Sequence, residues 1–184
     1  MKILCVEYNE SGDSTIVPVG DDVLLRNNND FYIPEFTKNI SCIPQFVVKL
    51  NKLGKCVGSR FADRYYNEFA VGVRFYADDL VDELLEKNLP PVAGYSFDGA
   101  NALSVLRDFR QDAEFTFYVN DVVEYSMSMP LNIDEIVSFA SEYHTIKIGD
   151  FLFCGGRFRK KKLKRGDSIK VQVDNEILLD FKIM

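Results

Sequence analysis

Apolar and polar positions alternate with a period of two along most of this chain, and the apolar ones are largely β-branched or aromatic, as half-buried strands require. The pattern is clearest in Phe46-Val47-Val48-Lys49-Leu50, Phe69 to Phe75, Phe115 to Val119 and Ile169 to Val173, and Ile177 to Ile183 alternates again as a last strand. From Glu114 to Val123 and beyond, two β-rich runs flank Asn120-Asp121. Asn and Asp tolerate positive φ, so a hairpin turn is predicted there.

Helical periodicity is rarer. Ala77 to Asn88 carries Leu80, Val81, Leu84 and Leu85 at helical spacing, and Pro90-Pro91 closes it. Asn132 to Tyr143 has Asn132 as N-cap, Glu135 three residues on as a capping-box partner, and Ile133, Ile136, Val137 and Ala140 as its inner face. A short helix is predicted over Ser59 to Asn67. Two or three short helices among many strands, without a βαβ rhythm, predict a β-rich α+β fold. No repeat, low-complexity tract or linker interrupts the sequence, so residues 1–184 are expected to form one domain.

Charge narrows the chemistry. With 28 acids against 22 bases the formal net charge is -6, which excludes a uniformly basic binder of nucleic acid or membrane surfaces. A single histidine, His144, cannot build a zinc site of several imidazoles, so any metal chemistry must rest on carboxylates. At the end of the second helix, His144 is expected to face the C-terminal dipole as a structural residue. No apolar run approaches the roughly 18 residues that cross a bilayer, and the stretch before Glu7 is too short for a secretory signal. A cytoplasmic protein is therefore expected, with Cys5, Cys42, Cys56 and Cys154, irregularly spaced and without a CxxC pair, as reduced thiols.

Two charge clusters stand out. From Arg157 to Arg165 the chain holds seven bases in nine residues and no acid. It suits an anion or phosphate patch with Phe158 available for stacking; the plainer reading is a solvated loop between strands that offsets the acidic body. Asp78, Asp79, Asp82 and Glu83 line the first turns of the Ala77 helix. Oxygen-ligated Mg²⁺ or Ca²⁺ favours such groups, but acids at a helix N-terminus are the simpler explanation. Arg64-Tyr65-Tyr66 and Tyr95-Ser96-Phe97 read as core or pocket wall.

Several stretches, in order along nearly the whole chain, resemble the fumarylacetoacetate hydrolase family. They are Met1 to Val6 with Asn9, Leu24 to Asn28, Phe31 to Phe36, Arg64-Tyr65-Tyr66, Ser96-Phe97-Asp98-Gly99-Ala100, Phe117 to Asn120, Ile146 to Phe153 and Leu178 to Phe181. The resemblance implies a mixed β-roll around a metal pocket, usually assembled as a dimer. It further implies hydrolysis, decarboxylation or tautomerisation of small 2-oxo and β-diketo acids. In that family Mg²⁺, Mn²⁺ or Ca²⁺ is held by a Glu-x-Glu pair and an Asp and acts as a Lewis acid, with a His/Glu pair moving protons.

Position by position, the resemblance places Ile43 and Gln45 where the Glu-x-Glu pair stands and Arg74 where the third ligand stands. Asp13 falls at the proton-transfer histidine, Asp78 at a substrate-contacting arginine and Tyr95 at a lysine. Asp98 alone of the charged set is retained, and the pocket-closing Thr-Gly-Thr-Pro loop becomes Cys154-Gly155-Gly156-Arg157. Three acidic ligands around no cation would repel one another in a low-dielectric pocket, and the replacements remove that repulsion. Arg74 is expected to fill the former metal cavity, paired with Asp98, Asp78 or Glu68. Pro44, within the ligand strand, predicts an edge or bulged strand there.

The expectation is a member that has lost metal binding and catalysis and uses no cofactor, a homodimer holding a small carboxylate through Arg74 and Arg157. Nucleic acid and membrane are not expected partners. Two alternatives stand beside it: an active hydrolase, decarboxylase or isomerase on a related acid with Asp13, Glu68 or Asp98 as proton-transfer group, and a regulatory dimer partner of an active relative.

Overall fold

The structure, a computed structural model, describes residues 1–129 and 132–184. In chain order its strands are β1 (Ile3–Tyr8), β2 (Ser14–Val19), β3 (Leu24–Leu25), β4 (Ile40–Leu50) and β5 (Tyr66–Ala77). Helix α1 (Asp78–Glu86) follows directly, then β6 (Asn101–Leu103), β7 (Arg107–Asp108), β8 (Glu114–Val119) and β9 (Val122–Ser128). Helix α2 (Ile133–Tyr143) leads to β10 (Phe151–Phe153), β11 (Lys160–Leu163), β12 (Ser168–Val173) and β13 (Glu176–Lys182). Ser59–Tyr65 is a 3₁₀ segment. The architecture is the expected β-rich α+β one.

Nine strands form a mixed sheet in the order β2-β1-β10-β4-β5-β6-β3, with β11 added to β4 and β7 to β5; the other four form an antiparallel sheet, β13-β12-β8-β9. Alternation sorts the side chains of the larger sheet onto two faces. Phe69, Val71, Val73 and Phe75 of β5, with Phe46 and Val48 of β4, enter the main core, which the smaller sheet and α2 complete. Phe46 meets Phe115 edge-on at 4.8 Å, and Phe31 stacks on Phe75 at 3.8 Å. Each fully buried phenylalanine contributes about 1.5–3 kcal/mol. Ile3, Cys5, Val47, Ala70 and Phe153 make a smaller apolar cluster on the opposite face. The functional cleft lies on that face.

Three details depart from the sequence reading. β4 is central rather than an edge, and its ladder with β5 runs unbroken through Pro44↔Val73, slipping only at Lys49/Leu50. Proline fits because β4's other side is shared: β10 pairs with Val47–Lys49 and β11 with Cys42 and Ile40, leaving Pro44 in the gap between them. The basic run is not simply a loop, since Lys160–Leu163 is that added strand. Asn132 makes no side-chain cap: its backbone, at φ -109° and ψ 28°, is outside the extended region an N-cap needs. Elsewhere local chemistry held. Asn120 and Asp121 have φ of 53° and 62°, which is the type I′ hairpin turn.

Candidate functional site

The β4–β5 register sets Ile43 directly opposite Arg74 and Gln45 opposite Gly72, and on the other side of β5 Asn101 of β6 opposes Arg74. By alternation Arg74 and Tyr76 leave β5 on the face away from the main core. On β1, Ile3, Cys5 and Glu7 share one face, so Glu7 comes over the end of β10 towards Arg74.

Arg74 is completely buried, at 0% exposure. Its Nη1 lies 2.9 Å from Oε1 of Glu7, and its guanidinium stands 5.5 Å from the ring centre of Tyr76 and 5.1 Å from that of Tyr95. The ion pair is close but off the N–H direction: Nε, Nη1 and Nη2 all lack an aligned hydrogen-bond acceptor. The Tyr76 hydroxyl donates to both Glu7 oxygens, at 3.0 and 2.9 Å. Burial drives the Tyr76 hydroxyl far above its ordinary pKa; Arg74 opposes this and Glu7 reinforces it, so it remains a donor. Burial likewise pushes the neighbouring Cys5 thiol up to about 12 despite Arg74, leaving it neutral and unreactive.

A second arginine covers the outer face of Tyr76. The Arg159 guanidinium stands 4.1 Å from that ring's centre, and its Nη1 donates to Asp78 Oδ1 at 3.1 Å. Asp78 also accepts from Ser41 Oγ at 2.8 Å. Around this stack opens a cleft of two lobes that share Glu7, Tyr8, Asn9 and Arg159. One, about 600 Å³, is lined further by Ile43, Gly156, the carboxylate of Glu10 and the cations Arg157, Arg159 and Lys161. The other, about 540 Å³, is walled by Val17, Tyr76, Val81, Leu85, Pro91 and Tyr95, with Asp13 at its rim. Gly155, at φ +79°, lets the chain pass Tyr8: a Cβ there would lie 2.5 Å from the ring.

Of the sequence candidates, Asp13 reaches the cleft, tied to Asn9 by Asn9 Nδ2 at 2.9 Å and by its own N–H to Asn9 Oδ1 at 2.8 Å. Tyr95 and Gly156 line it, and Arg157 is exposed over the Tyr8 ring at 5.7 Å, with no ion-pair partner among the described residues. Cys154 is buried, its Sγ 3.6 Å from the Leu152 carbonyl. Asp98 is exposed and lines neither lobe. Glu68 pairs with Lys49 at 2.7 Å, six residues from Arg74 along β5 and so roughly 20 Å away. The expected partners of Arg74 are therefore replaced by Glu7. Glu7, Tyr76 and Arg159 were not anticipated; the alternation Ile3, Cys5, Glu7 was the available signal.

The residues do not suit a divalent cation. Ile43 offers no donor atom, and Gln45, 1% exposed, spends its Oε1 on the Gly155 N–H at 2.9 Å. Arg74 brings positive charge, and the one carboxylate beside it is already paired. Mg²⁺ and Ca²⁺ need several free oxygen ligands. Among the described residues no group of three or more His, Cys, Asp or Glu is placed to hold a metal ion.

No protein-family model matches the chain. Among solved structures, fumarylpyruvate hydrolase from Pseudomonas aeruginosa, in complex with Mn²⁺ and pyruvate, superposes with a TM-score of 0.89 at 18% identity, covering 100% of this chain and 89% of that one. A protein from Yersinia pestis assigned to the fumarylacetoacetate hydrolase family superposes at 0.88 and 16% identity, over 100% of this chain and 92% of that one. The fold is that of the fumarylacetoacetate hydrolase family. A third structure with this fold, 5-carboxymethyl-2-hydroxymuconate delta-isomerase from Mycobacterium smegmatis, superposes at 0.85 with 17% identity, covering 100% and 78%. In sequence, the chain is 23% identical over 159 residues to the mitochondrial oxaloacetate tautomerase FAHD1 of Bos taurus, over 82% of this chain and 72% of that protein. Among the described residues of this fumarylacetoacetate hydrolase fold, no helix is long and apolar enough to cross a membrane.

Proposed function

We propose that this chain belongs to the fumarylacetoacetate hydrolase family but has given up divalent-metal binding and metal-dependent catalysis, and keeps the cleft as a metal-independent site for a small carboxylate. The observation that carries this is the fully buried Arg74 ion-paired to Glu7 where the resemblance puts a metal ligand. A fixed cation there supplies the positive charge a divalent ion would otherwise bring, without exchangeable coordination positions. Arg157, Arg159 and Lys161 add cations at the mouth of the basic lobe, suited to a carboxylate. The similar Pseudomonas protein holds pyruvate with Mn²⁺, and the similar bovine protein is an oxaloacetate tautomerase, so 2-oxo acids are the first ligands to try. The reading includes a cytoplasmic protein that uses no cofactor, assembled as the homodimer that the family resemblance implies.

A second reading, an enzyme with relocated chemistry, is favoured by Glu7, a carboxylate that lines both lobes beside the Tyr76 hydroxyl. Assays of acylpyruvate hydrolysis, oxaloacetate decarboxylation and oxaloacetate tautomerisation, with and without Mg²⁺ or Mn²⁺, test both. No metal-stimulated turnover is expected. A metal-stimulated rate contradicts the first reading, and a metal-independent rate abolished by Glu7→Gln favours the second.

A further inference from the structure

We propose that Glu7 is a built-in substitute for ligand, occupying the buried guanidinium of Arg74 and giving way to an incoming small monocarboxylate. The inference rests on the carboxylate-site reading and adds where the carboxylate goes and what it must displace.

Arg74 is buried on every side, and the aromatic rings of Tyr76 and Tyr95 stand beside its guanidinium. An arginine carries five N–H donors in a planar fork, and a buried charge left without acceptors is costly. Yet none of the three guanidinium nitrogens has an aligned acceptor. Glu7 neutralises the charge without satisfying the fork, because its oxygens are directed to the Tyr76 hydroxyl. The fork is thus paired by charge and open by geometry.

Glu7 also stands in the way. Its side chain is 21% exposed and lines both lobes, whereas Arg74 lines neither. Turned outward, its carboxylate would enter the basic lobe, where three cations face the single further carboxylate of Glu10: Arg157 and Lys161 lack ion-pair partners among the described residues and Arg159 is shared with Asp78. A free carboxylate could then meet the guanidinium edge with two parallel hydrogen bonds, the arrangement that Arg–carboxylate pairs favour. Gln45 Nε2, a second buried donor without a partner, lies on the same face of β4. Donors without acceptors select an anion, and the size and planarity of the group already there select a carboxylate.

Calorimetric titration of acetate and pyruvate into the wild type, Glu7→Gln and Arg157→Ala proteins, all in EDTA, tests the exchange. Removing the competing charge should tighten acetate binding in Glu7→Gln by about tenfold or more, which is ~1.4 kcal/mol. The thermal midpoint of Glu7→Ala should fall, and acetate or formate should restore it where equal chloride does not. If Glu7→Ala does not fold, Glu7→Gln alone decides. Acetate affinity unchanged or weaker in Glu7→Gln, with pyruvate still bound by wild type and weakened in Arg157→Ala, overturns the exchange and leaves the cleft reading standing. No carboxylate binding by any of the three overturns both.

Discussion

Ile43 and Arg74 face each other directly across the β4–β5 ladder, an aliphatic side chain opposite a completely buried cation. Nothing on β4 answers the charge, and Glu7 reaches it from β1. The consequences of breaking that pair are asymmetric. Glu7→Ala strands a buried guanidinium and should cost about 3 kcal/mol, the low end for such pairs because Glu7 is itself partly solvated. Arg74→Met leaves a carboxylate that can turn into the cleft, and replaces a buried ion by an apolar chain of similar length. It should stay within about 1 kcal/mol of wild type. Urea unfolding of the two variants measures the difference, and equal losses would contradict this placement of the charge.

Asp150 anchors the start of the same sheet. Its side chain is 2% exposed and accepts from the Lys2 backbone N–H at 3.0 Å, the Lys147 N–H at 2.9 Å and the Lys2 ammonium. These bonds tie β1 to the turn before β10. Asp150→Ala leaves two backbone donors without their partner and should cost about 3 kcal/mol. Asp150→Asn keeps an oxygen for only one of them, because the Lys2 N–H goes to Oδ1 and the Lys147 N–H to Oδ2, and should cost about 2 kcal/mol. Chemical denaturation of both variants orders them; an Asn variant as stable as wild type would contradict the need for two acceptor oxygens.

Gly72 tests the close approach behind the site. A Cβ there would lie 2.5 Å from the Phe153 ring, 3.0 Å from the Ala102 carbonyl and 3.0 Å from Val47. Gly72→Ala should therefore destabilise by about 1–3 kcal/mol, although alanine suits a strand better than glycine does. A thermal midpoint equal to or above that of wild type would contradict the packing.

Acidification should weaken the fold in a window set by His144. Burial, then the charges of Lys2 and Lys55, hold its folded pKa below 6.5. The unfolded chain therefore binds a proton first, and stability falls as pH drops through about 6.5 and levels below the folded value. A helix-dipole effect alone would have the opposite sign. Asp79 also has a lowered pKa, its hydrogen bonds from Thr37, Lys38 and Leu80 outweighing burial, so its stabilisation is lost only below 3.8. Thermal midpoints between pH 7.5 and 5 should decline in wild type and flatten in His144→Gln; parallel curves would exclude His144.

Most of the fold was legible because its strands carry strong local signals: alternation in Phe69 to Phe75, turn chemistry at Asn120-Asp121, an apolar face in α2. What was not legible was non-local. Pro44 sits in a central strand because β10 and β11 happen to leave a gap there, and no pattern within β4 encodes that. The candidate site was legible as a set of replacements at Ile43, Gln45 and Arg74. The partner was missed because pairing Glu7 with Arg74 requires β1 to lie beside β10 and β10 beside β4, as in Ile3↔Phe151 and Phe151↔Lys49, contacts far apart along the chain. Glu68 and Arg74 share a face of β5, yet the rise along a strand keeps them roughly 20 Å apart.

Calorimetric titration of pyruvate into protein stripped with EDTA, repeated with saturating Mn²⁺, tests the central claim most directly. Pyruvate should bind with the same affinity in both, and the protein alone should give no heat with Mn²⁺. Binding that appears only with Mn²⁺, and is lost when Gln45→Ala removes the remaining oxygen donor at the ligand strand, would contradict it.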